Sequence, residues 1–168
     1  MKLLDLIRSR LVIPSLRATE KRAAIEELVD FIVREGELPP AVRPAVLKAV
    51  HGREDFMSTG MEHGIALPHG VTDVIPEELA AIGVSKPGIP FESFDGEPAR
   101  IVILLLTPTP KALTRVRTLA EIARIMNDAA VRAALIQAES ATKAVEAIRA
   151  AAARCANQGR NQNQSKPT

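Results

Sequence analysis

Hydrophobic residues along the chain alternate between strand-like runs and helical spacing. A short apolar run at 10–16, "RLVIPSL", predicts a strand. The residues after it are apolar at every third or fourth position, which predicts a helix with Thr19 as N-cap and Gly36 past its end. The positions that define this helical stripe are Ile25, Leu28, Val29 and Ile32.

The next segments predict a second helix and three strands. Residues 39–52, "PPAVRPAVLKAVHG", open with prolines suited to a first helical turn and predict a second helix that stops at Gly52. Three apolar runs then predict buried strands, because Pro, Gly and Asp separate them. These runs are 64–70 ("GIALPHG"), 79–85 ("LAAIGVS") and 100–107 ("RIVILLLT").

Helical spacing returns from Thr109 onward. In this helix, the apolar stripe that is predicted to face the protein core consists of Leu113, Val116, Ala120 and Ala123. Two further helices are predicted to begin near Asp128 and Ser140. The order of elements indicates one sheet covered by helices on both faces, in a domain over 1–152. Residues 153–168 end in "ANQGRNQNQSKPT" and are predicted to be a disordered polar tail.

Composition narrows the class of protein. The chain has 168 residues, of which 46% are apolar, so a single domain with an aliphatic core is expected. Four Phe, no Trp or Tyr and a formal charge of +2 argue against nucleic-acid binding. The single Cys155 excludes an internal disulfide and suits a reducing cytoplasm. No apolar run approaches the roughly 18 residues that span a bilayer, so a soluble cytoplasmic protein without membrane insertion is predicted.

His69 is the candidate for chemistry. It is predicted at the end of a strand, where open sheets flanked by helices hold their sites. Pro68 stiffens the backbone before it, and Gly70 lets another group approach closely. An imidazole with one unprotonated nitrogen is nucleophilic near neutral pH, which suits a phosphoryl carrier. The alternative is a loop histidine without a chemical task.

Groups that bind phosphate oxygens lie just upstream. Arg53 offers a guanidinium, and Ser58 and Thr59 offer hydroxyls. Together with the backbone at Gly70, the two hydroxyl residues are the predicted phosphate-binding set. The alternative for the arginine is a surface ion pair with Glu54 or Asp55.

The segment from Arg53 to Gly70 reads "RE...STG...GIALPHG". With this motif the chain resembles the enzyme IIA domains of the mannitol and fructose class in the bacterial sugar phosphotransferase system, including the nitrogen-regulatory IIA proteins. The segment 88–108, "GIPFESFDGEPARIVILLLTP", continues the likeness, which covers about 2–150. The resemblance implies an α+β fold, a three-layer α/β/α sandwich around a mixed sheet.

The resemblance also implies a function. His69 matches the family's phosphorylated histidine, which accepts a phosphoryl group from the histidine phosphocarrier protein and passes it to a IIB partner. Arg53 matches the arginine that lines the family's active site. The transfer needs alignment and charge neutralisation, so no metal or nucleotide cofactor is expected.

The sequence departs from the family pattern at two places. Many members have a second active-site histidine where this chain has Arg115, which can neutralise phosphate but cannot shuttle a proton. Arg115 is therefore the third predicted catalytic residue, beside His69 and Arg53. Glu62 and His63 replace the family's glycine and asparagine, and a carboxylate at 62 would repel phosphate if it pointed inward.

Three functions remain open from the sequence. The first is a phosphoryl relay, and the second is a regulatory module that docks to a target protein in one phosphorylation state. The third is a metal site built from His51, His63 and His69, although no carboxylate or cysteine lies at a ligand spacing with them. Four apolar residues near the motif are predicted either to rim the partner surface or to fill the core: Phe56, Met57, Met61 and Ile89.

Overall fold

The structure is a computed structural model that describes Leu6 and residues 11–163, with side chains described up to 154. Its five strands are β1 (Val12–Ile13), β2 (Ile65–Ala66), β3 (His69–Thr72), β4 (Leu79–Ile89) and β5 (Ala99–Pro108). The described residues also form five α-helices: α1 (Lys21–Arg34), α2 (Arg43–Phe56), α3 (Ala112–Met126), α4 (Ala129–Gln137) and α5 (Ala141–Asn163). Short 3₁₀ turns precede α2 and α3, at Pro40–Val42 and Thr109–Lys111.

The strands form one mixed sheet in the order β1-β4-β5-β2, with β3 also paired to β5. β4 runs antiparallel to β5, and the other pairs are parallel. β2 and β3 follow each other along the same edge of β5, with Ile65 opposite Ile101 and His69 opposite Leu105. The predicted single strand over 64–70 is therefore wrong, because it is broken between β2 and β3.

The break has a local cause. The amide of Leu67 leaves the ladder and donates to the carbonyl of Thr59 at 3.1 Å. Pro68 has no amide to donate, although its carbonyl accepts from Leu105 at 3.0 Å. His69 consequently begins a strand, and the prediction that it ends one is wrong.

Helices cover both faces of the sheet, as predicted. Along β5, Val102 and Leu104 pack in the core formed with α1 and α2, whereas Ile101 and Ile103 pack in the core formed with α3, α4 and α5. An uninterrupted apolar run is what a strand buried on both faces requires. The three-layer α/β/α arrangement is confirmed.

Two helix boundaries differ from the predictions. The N-cap of α1 is Glu20 rather than Thr19, and it makes no side-chain capping bond. α2 continues through Gly52 to Phe56, so the predicted stop is wrong. A glycine inside a helix costs about 1 kcal/mol relative to alanine. The turn that follows contains Glu54, which is buried and accepts hydrogen bonds from the amide and hydroxyl of Thr59.

The predicted core stripe of α3 is also wrong. Leu113 and Val116 are 90% and 61% exposed, and the buried side chains are Thr118, Ile122, Ile125 and Met126. Both sets have helical spacing, so packing against the sheet decides which one is buried. The predicted starts near Asp128 and Ser140 are confirmed. The Asp128 side chain accepts from the amide of Ala130 at 2.9 Å, and α5 begins directly after Ser140.

The C-terminal helix extends beyond the predicted domain boundary. α5 covers 153–163, which the sequence assigns to a disordered tail, and residues 164–168 lie outside the described part of the chain. Alanine, arginine and glutamine favour a helix in this segment. None of the helices in the described part is long and apolar enough to span a bilayer.

Candidate functional site

His69 is held in one orientation by its own backbone. His69 as a whole is only 8% exposed, and its Nδ1 lies 2.8 Å from the carbonyl oxygen of Leu67. A carbonyl can only accept, so Nδ1 carries the hydrogen and donates it. Nε2 of the neutral ring therefore has a free lone pair.

The strand register directs this side chain. Residues paired on parallel strands project to the same face, so His69 shares the face of Leu105 and Ile103, towards α3–α5. Gly70 projects to the opposite face, where a Cβ would lie 2.9 Å from Cγ2 and 3.1 Å from the amide nitrogen of Val50. The glycine thus lets α2 pack closely against β3, which brings the end of that helix to His69. Phosphate binding at Gly70 stays a prediction.

The surroundings lower the pKa of His69 below its ordinary value of 6.5. Burial is the main cause, and the positive charges of Arg53 and Arg115 act in the same direction. The hydrogen bond to the Leu67 carbonyl and the charge of Glu54 act in the opposite direction. The ring is therefore neutral at neutral pH, which is the form that has a nucleophilic nitrogen.

The structure brings the three predicted catalytic residues together. Arg53, in the last turn of α2, and Arg115, in the first turns of α3, both act on the charge state of His69. Within the described part of the chain, Arg53 forms no ion pair with Glu54 or Asp55. Its Nη1 donates to the carbonyl of Met57 at 2.8 Å, while Asp55 pairs with Arg22 at 2.7 Å.

The two hydroxyl residues predicted to bind phosphate hold the loop after α2. Ser58 Oγ donates to the carbonyl of Phe91, and Thr59 Oγ1 donates to the Glu54 carboxylate. Each hydroxyl group has one hydrogen, so it can donate to a phosphate oxygen only after it gives up the hydrogen bond that it makes here. Their role as phosphate ligands stays a prediction.

Glu54 is the site residue that the sequence analysis missed. Its side chain is only 2% exposed, and its carboxylate accepts from the amide of Thr59 at 3.0 Å and lies 3.4 Å from Lys21 Nζ. Sequence analysis treated it as a surface partner for an arginine. A signal was present, because Val46, Val50 and Glu54 recur at intervals of four and so share the buried face of α2.

The other two histidines lie in different surroundings. His51 is buried in α2 with Nε2 3.4 Å from a Glu26 oxygen. His63 has a positive φ of 66° and donates its amide to Asp95 at 2.8 Å. Among the described residues, no cluster of three or more His, Cys, Asp and Glu could hold a metal ion. Glu62, the departure from the family pattern, is exposed.

The four apolar residues near the motif divide between surface and core. Phe56 and Met57 are 83% and 56% exposed at the end of α2. Met61 is partly buried against the core under α3–α5, and Ile89 is fully buried. Only the first two are therefore available at the surface to a partner.

Comparison with known proteins identifies the family. Residues 5–151 match the model of the phosphoenolpyruvate-dependent sugar phosphotransferase system EIIA 2 family, so the chain belongs to that family. It is 30% identical over 148 residues to the fructose-specific EIIABC component of Bacillus subtilis, covering 88% of this chain and 23% of that protein. It is also 30% identical to a nitrogen regulatory protein of Bradyrhizobium diazoefficiens, covering 76% of this chain and 82% of that protein.

Solved structures share the fold. The nitrogen regulatory protein IIA-Ntr of Neisseria meningitidis superposes with a TM-score of 0.79 at 21% identity, covering 88% of this chain and 99% of that one. Mannitol IIA from Escherichia coli, solved in complex with phosphorylated IIB, gives 0.71 at 19% identity and covers 85% of this chain and 96% of that one. Family and fold together support a phosphoryl-carrier or regulatory role in the phosphotransferase system.

Proposed function

We propose that this chain carries a phosphoryl group on Nε2 of His69. The group arrives from the histidine phosphocarrier protein and leaves to a IIB domain, or its presence signals to a regulatory target. The observation that carries the proposal is the hydrogen bond from Nδ1 to the Leu67 carbonyl. It leaves Nε2 as the nucleophile in a ring that burial keeps neutral.

The transfer step balances without a cofactor. The Nε2 lone pair attacks phosphorus, the phosphorus–nitrogen bond of the donor phosphohistidine breaks, and its electron pair returns to the donor nitrogen. The Nδ1 proton stays in place, and the Leu67 carbonyl stabilises the positive charge that develops on the ring. Arg53 and Arg115 neutralise the phosphoryl oxygens, since such transfers depend on alignment and charge stabilisation.

Two outputs fit this chemistry. The solved complex of mannitol IIA with phosphorylated IIB supports transfer to a IIB domain, because the folds are shared. The relatives named nitrogen regulatory proteins support a regulatory output. The presence of Arg115, which cannot shuttle a proton, also favours an adduct that persists as a signal.

The acceptor is tested by intact mass after incubation with phosphoenolpyruvate, enzyme I and the histidine phosphocarrier protein. Wild type is expected to gain one phosphoryl group per chain, stable in base and labile in acid. His69→Ala is expected to gain none. His63→Asn is the matched control, because asparagine tolerates the positive φ of residue 63, and it is expected to behave as wild type. Phosphorylation of His69→Ala contradicts the proposal.

The output is tested on the loaded protein. Rapid discharge when a purified IIB domain is added indicates transport, whereas a stable adduct that changes the binding of a target protein indicates regulation. The genes beside this one separate the same two outcomes, because transport requires IIB and IIC domains.

A further inference from the structure

The Leu67 carbonyl, which accepts from His69, depends on Thr59 for its position. Leu67 lies between β2 and β3 and belongs to neither strand. The peptide unit that carries its carbonyl ends at the nitrogen of Pro68, so this unit has no N–H with which to bind a neighbour. Leu67 is instead held through its own amide, which donates to the Thr59 carbonyl at 3.1 Å. The position of Thr59 therefore controls the acceptor of His69.

Thr59 in turn is held by Glu54. Its amide and its hydroxyl both donate to the Glu54 carboxylate, and the amide nitrogen lies 3.0 Å from the nearer oxygen. Thr59 is itself buried. Glu54 belongs to the last turn of α2, the helix that packs closely against β3 at Gly70. Two hydrogen bonds to one buried carboxylate thus fix both the backbone and the side chain of Thr59 relative to that helix.

Lys21 is the counter-charge of this carboxylate. Its Nζ lies 3.4 Å from a Glu54 oxygen and 3.1 Å from a Glu92 oxygen. Glu92 is 77% exposed, so Glu54 is the buried partner of the lysine. A buried carboxylate requires a nearby positive charge, and the charge of Glu54 reaches His69. Lys21 therefore also reduces the repulsion between Glu54 and a phosphoryl group on His69.

The same loop holds Arg53. Nη1 of Arg53 donates to the Met57 carbonyl at 2.8 Å, and Met57 lies two residues before Thr59. The loop thus supplies one carbonyl to Arg53 and another to Leu67. Because Glu54 anchors this loop, one carboxylate fixes the surroundings of both the histidine and the arginine.

We infer that Lys21 and Glu54 are positioning residues for phosphoryl transfer at His69. They act through the hydrogen-bonded chain of Thr59 and Leu67, and not through contact with the phosphoryl group. This chain keeps the ring hydrogen on Nδ1 and so leaves the lone pair on Nε2, and no proton moves along it. The inference rests on the proposed function and adds the residues that set the tautomer of the nucleophile.

The tautomer of His69 tests the inference by NMR of the labelled imidazole nitrogens above neutral pH, where the ring is neutral. Wild type is expected to hold the hydrogen on Nδ1 alone. Glu54→Ala is expected to populate the second tautomer, with the hydrogen on Nε2, because Thr59 and Leu67 are released. Glu54→Gln is expected to retain the wild-type tautomer, since its oxygen still accepts from the Thr59 amide. Thr59→Ala removes only the hydroxyl hydrogen bond. It is expected to shift the ratio in the same direction as Glu54→Ala, and it decides the question if that variant does not fold.

The rate of transfer from the phosphorylated histidine phosphocarrier protein, followed by rapid quench, measures the consequence. Glu54→Ala is expected to slow transfer about 100-fold, because a small displacement of a reacting group costs this much. Lys21→Met is expected to slow transfer less, and Lys21→Arg is expected to keep the wild-type rate because it retains the positive charge. Glu92→Gln is the matched control. It removes only the exposed partner of the same lysine and is expected to transfer at the wild-type rate.

Ile148→Ala separates positioning from a general loss of stability. Ile148 is fully buried in the core under α3–α5, on the helix that contacts β1 at the opposite edge of the sheet. Its truncation destabilises the fold without changing the chain of hydrogen bonds that ends at His69. The variant is therefore expected to retain one tautomer and the wild-type rate of transfer.

Three results overturn the inference. The first is a single tautomer, with the hydrogen on Nδ1, in both Glu54→Ala and Thr59→Ala. The second is an equal mixture of tautomers in Ile148→Ala and Glu54→Ala, which assigns the effect to stability. The third is transfer by Lys21→Met at the wild-type rate. Failure of wild type to gain a phosphoryl group contradicts the proposed function instead. The tautomer measurements need no phosphoryl donor, so they still decide whether Glu54 positions the ring.

Discussion

The loop after α2 and the start of α3 both border His69, but their side chains are used differently. In the loop, Arg53 donates to the Met57 carbonyl, Ser58 donates to the Phe91 carbonyl, and Glu54 accepts from Thr59. The polar groups of the loop form hydrogen bonds that hold its backbone in place. In the first turns of α3, Leu113, Val116 and Arg117 point to solvent.

This difference separates two tasks that the proposed phosphoryl transfer requires. One side of the site is held by hydrogen bonds within the protein, because buried polar groups need partners there. The other side keeps apolar and charged side chains free, which suits a surface that binds and releases another protein quickly. Four predictions test this division, in decreasing order of expected effect.

The largest effect is expected from Glu54→Ala. Removing the carboxylate leaves the amide and hydroxyl of Thr59 and the ammonium of Lys21 without their buried partner. The free energy of unfolding, measured by urea denaturation, is expected to fall by about 3 kcal/mol. Glu62→Ala, at an exposed carboxylate, is the control and is expected to stay within about 0.5 kcal/mol of wild type. Equal stability of the two variants would mean that the loop is not held by Glu54.

Substitution of the two arginines is expected to change the rate of phosphoryl transfer by different amounts. Arg53→Ala should slow phosphoryl transfer to His69 by about 10- to 1,000-fold, because it removes a charge that stabilises the transferring group. Arg115→Ala is expected to slow transfer less and to change the lifetime of the adduct more. Rapid-quench rates and the decay of the loaded protein measure the two quantities. Wild-type values in both variants would show that the arginines are ordinary surface charges.

A smaller effect on the free energy of unfolding is expected when the pH is lowered. Burial, aided by Arg53 and Arg115, lowers the pKa of His69 below 6.5. As the pH falls from 6.5 towards that lowered pKa, the unfolded chain binds a proton at His69 that the folded chain does not bind. The free energy of unfolding therefore decreases in this pH window, and it is unaffected by His69 above the window. Phosphoryl acceptance is expected to persist below pH 6.5, because the folded ring stays neutral.

NMR titration of the His69 ring measures that pKa. Arg53→Ala is expected to raise it and Glu54→Gln to lower it, according to the charge removed. A wild-type midpoint at or above 6.5 would show that burial does not control the ring.

The smallest effect is expected from Glu62→Gly, which restores the family pattern. Glu62 is exposed, and Glu54 is the carboxylate whose charge acts on His69. The rate of phosphorylation is therefore expected to stay within about twofold of wild type, since exposed charges interact weakly through water. Faster phosphorylation would place the Glu62 carboxylate in the site, and marked slowing would assign it to partner binding.

Local sequence predicted most of the strands and helices and the candidate histidine. The apolar run of β5 predicted a strand buried on both faces because no polar position interrupts it. The sequence Pro68-His69-Gly70 marked His69 as the candidate because proline restricts the backbone before it and glycine lets other groups approach after it. Comparison with the family pattern added Arg53 and Arg115 as candidate site residues. The fold places the charges of both near His69.

Tertiary packing decided which of two possible arrangements each element adopts. α3 has two apolar stripes with helical spacing, and contact with the sheet buried Ile122 and Ile125 while leaving Leu113 and Val116 outside. Glu54 had the sequence signature of a surface charge, but the tertiary structure buries it with Thr59 of the following loop and Lys21 of α1 as partners. Such choices depend on contacts between residues distant in the chain. Periodicity shows which residues share a face of a helix, but it does not show which of two faces is buried or which partners a buried carboxylate finds.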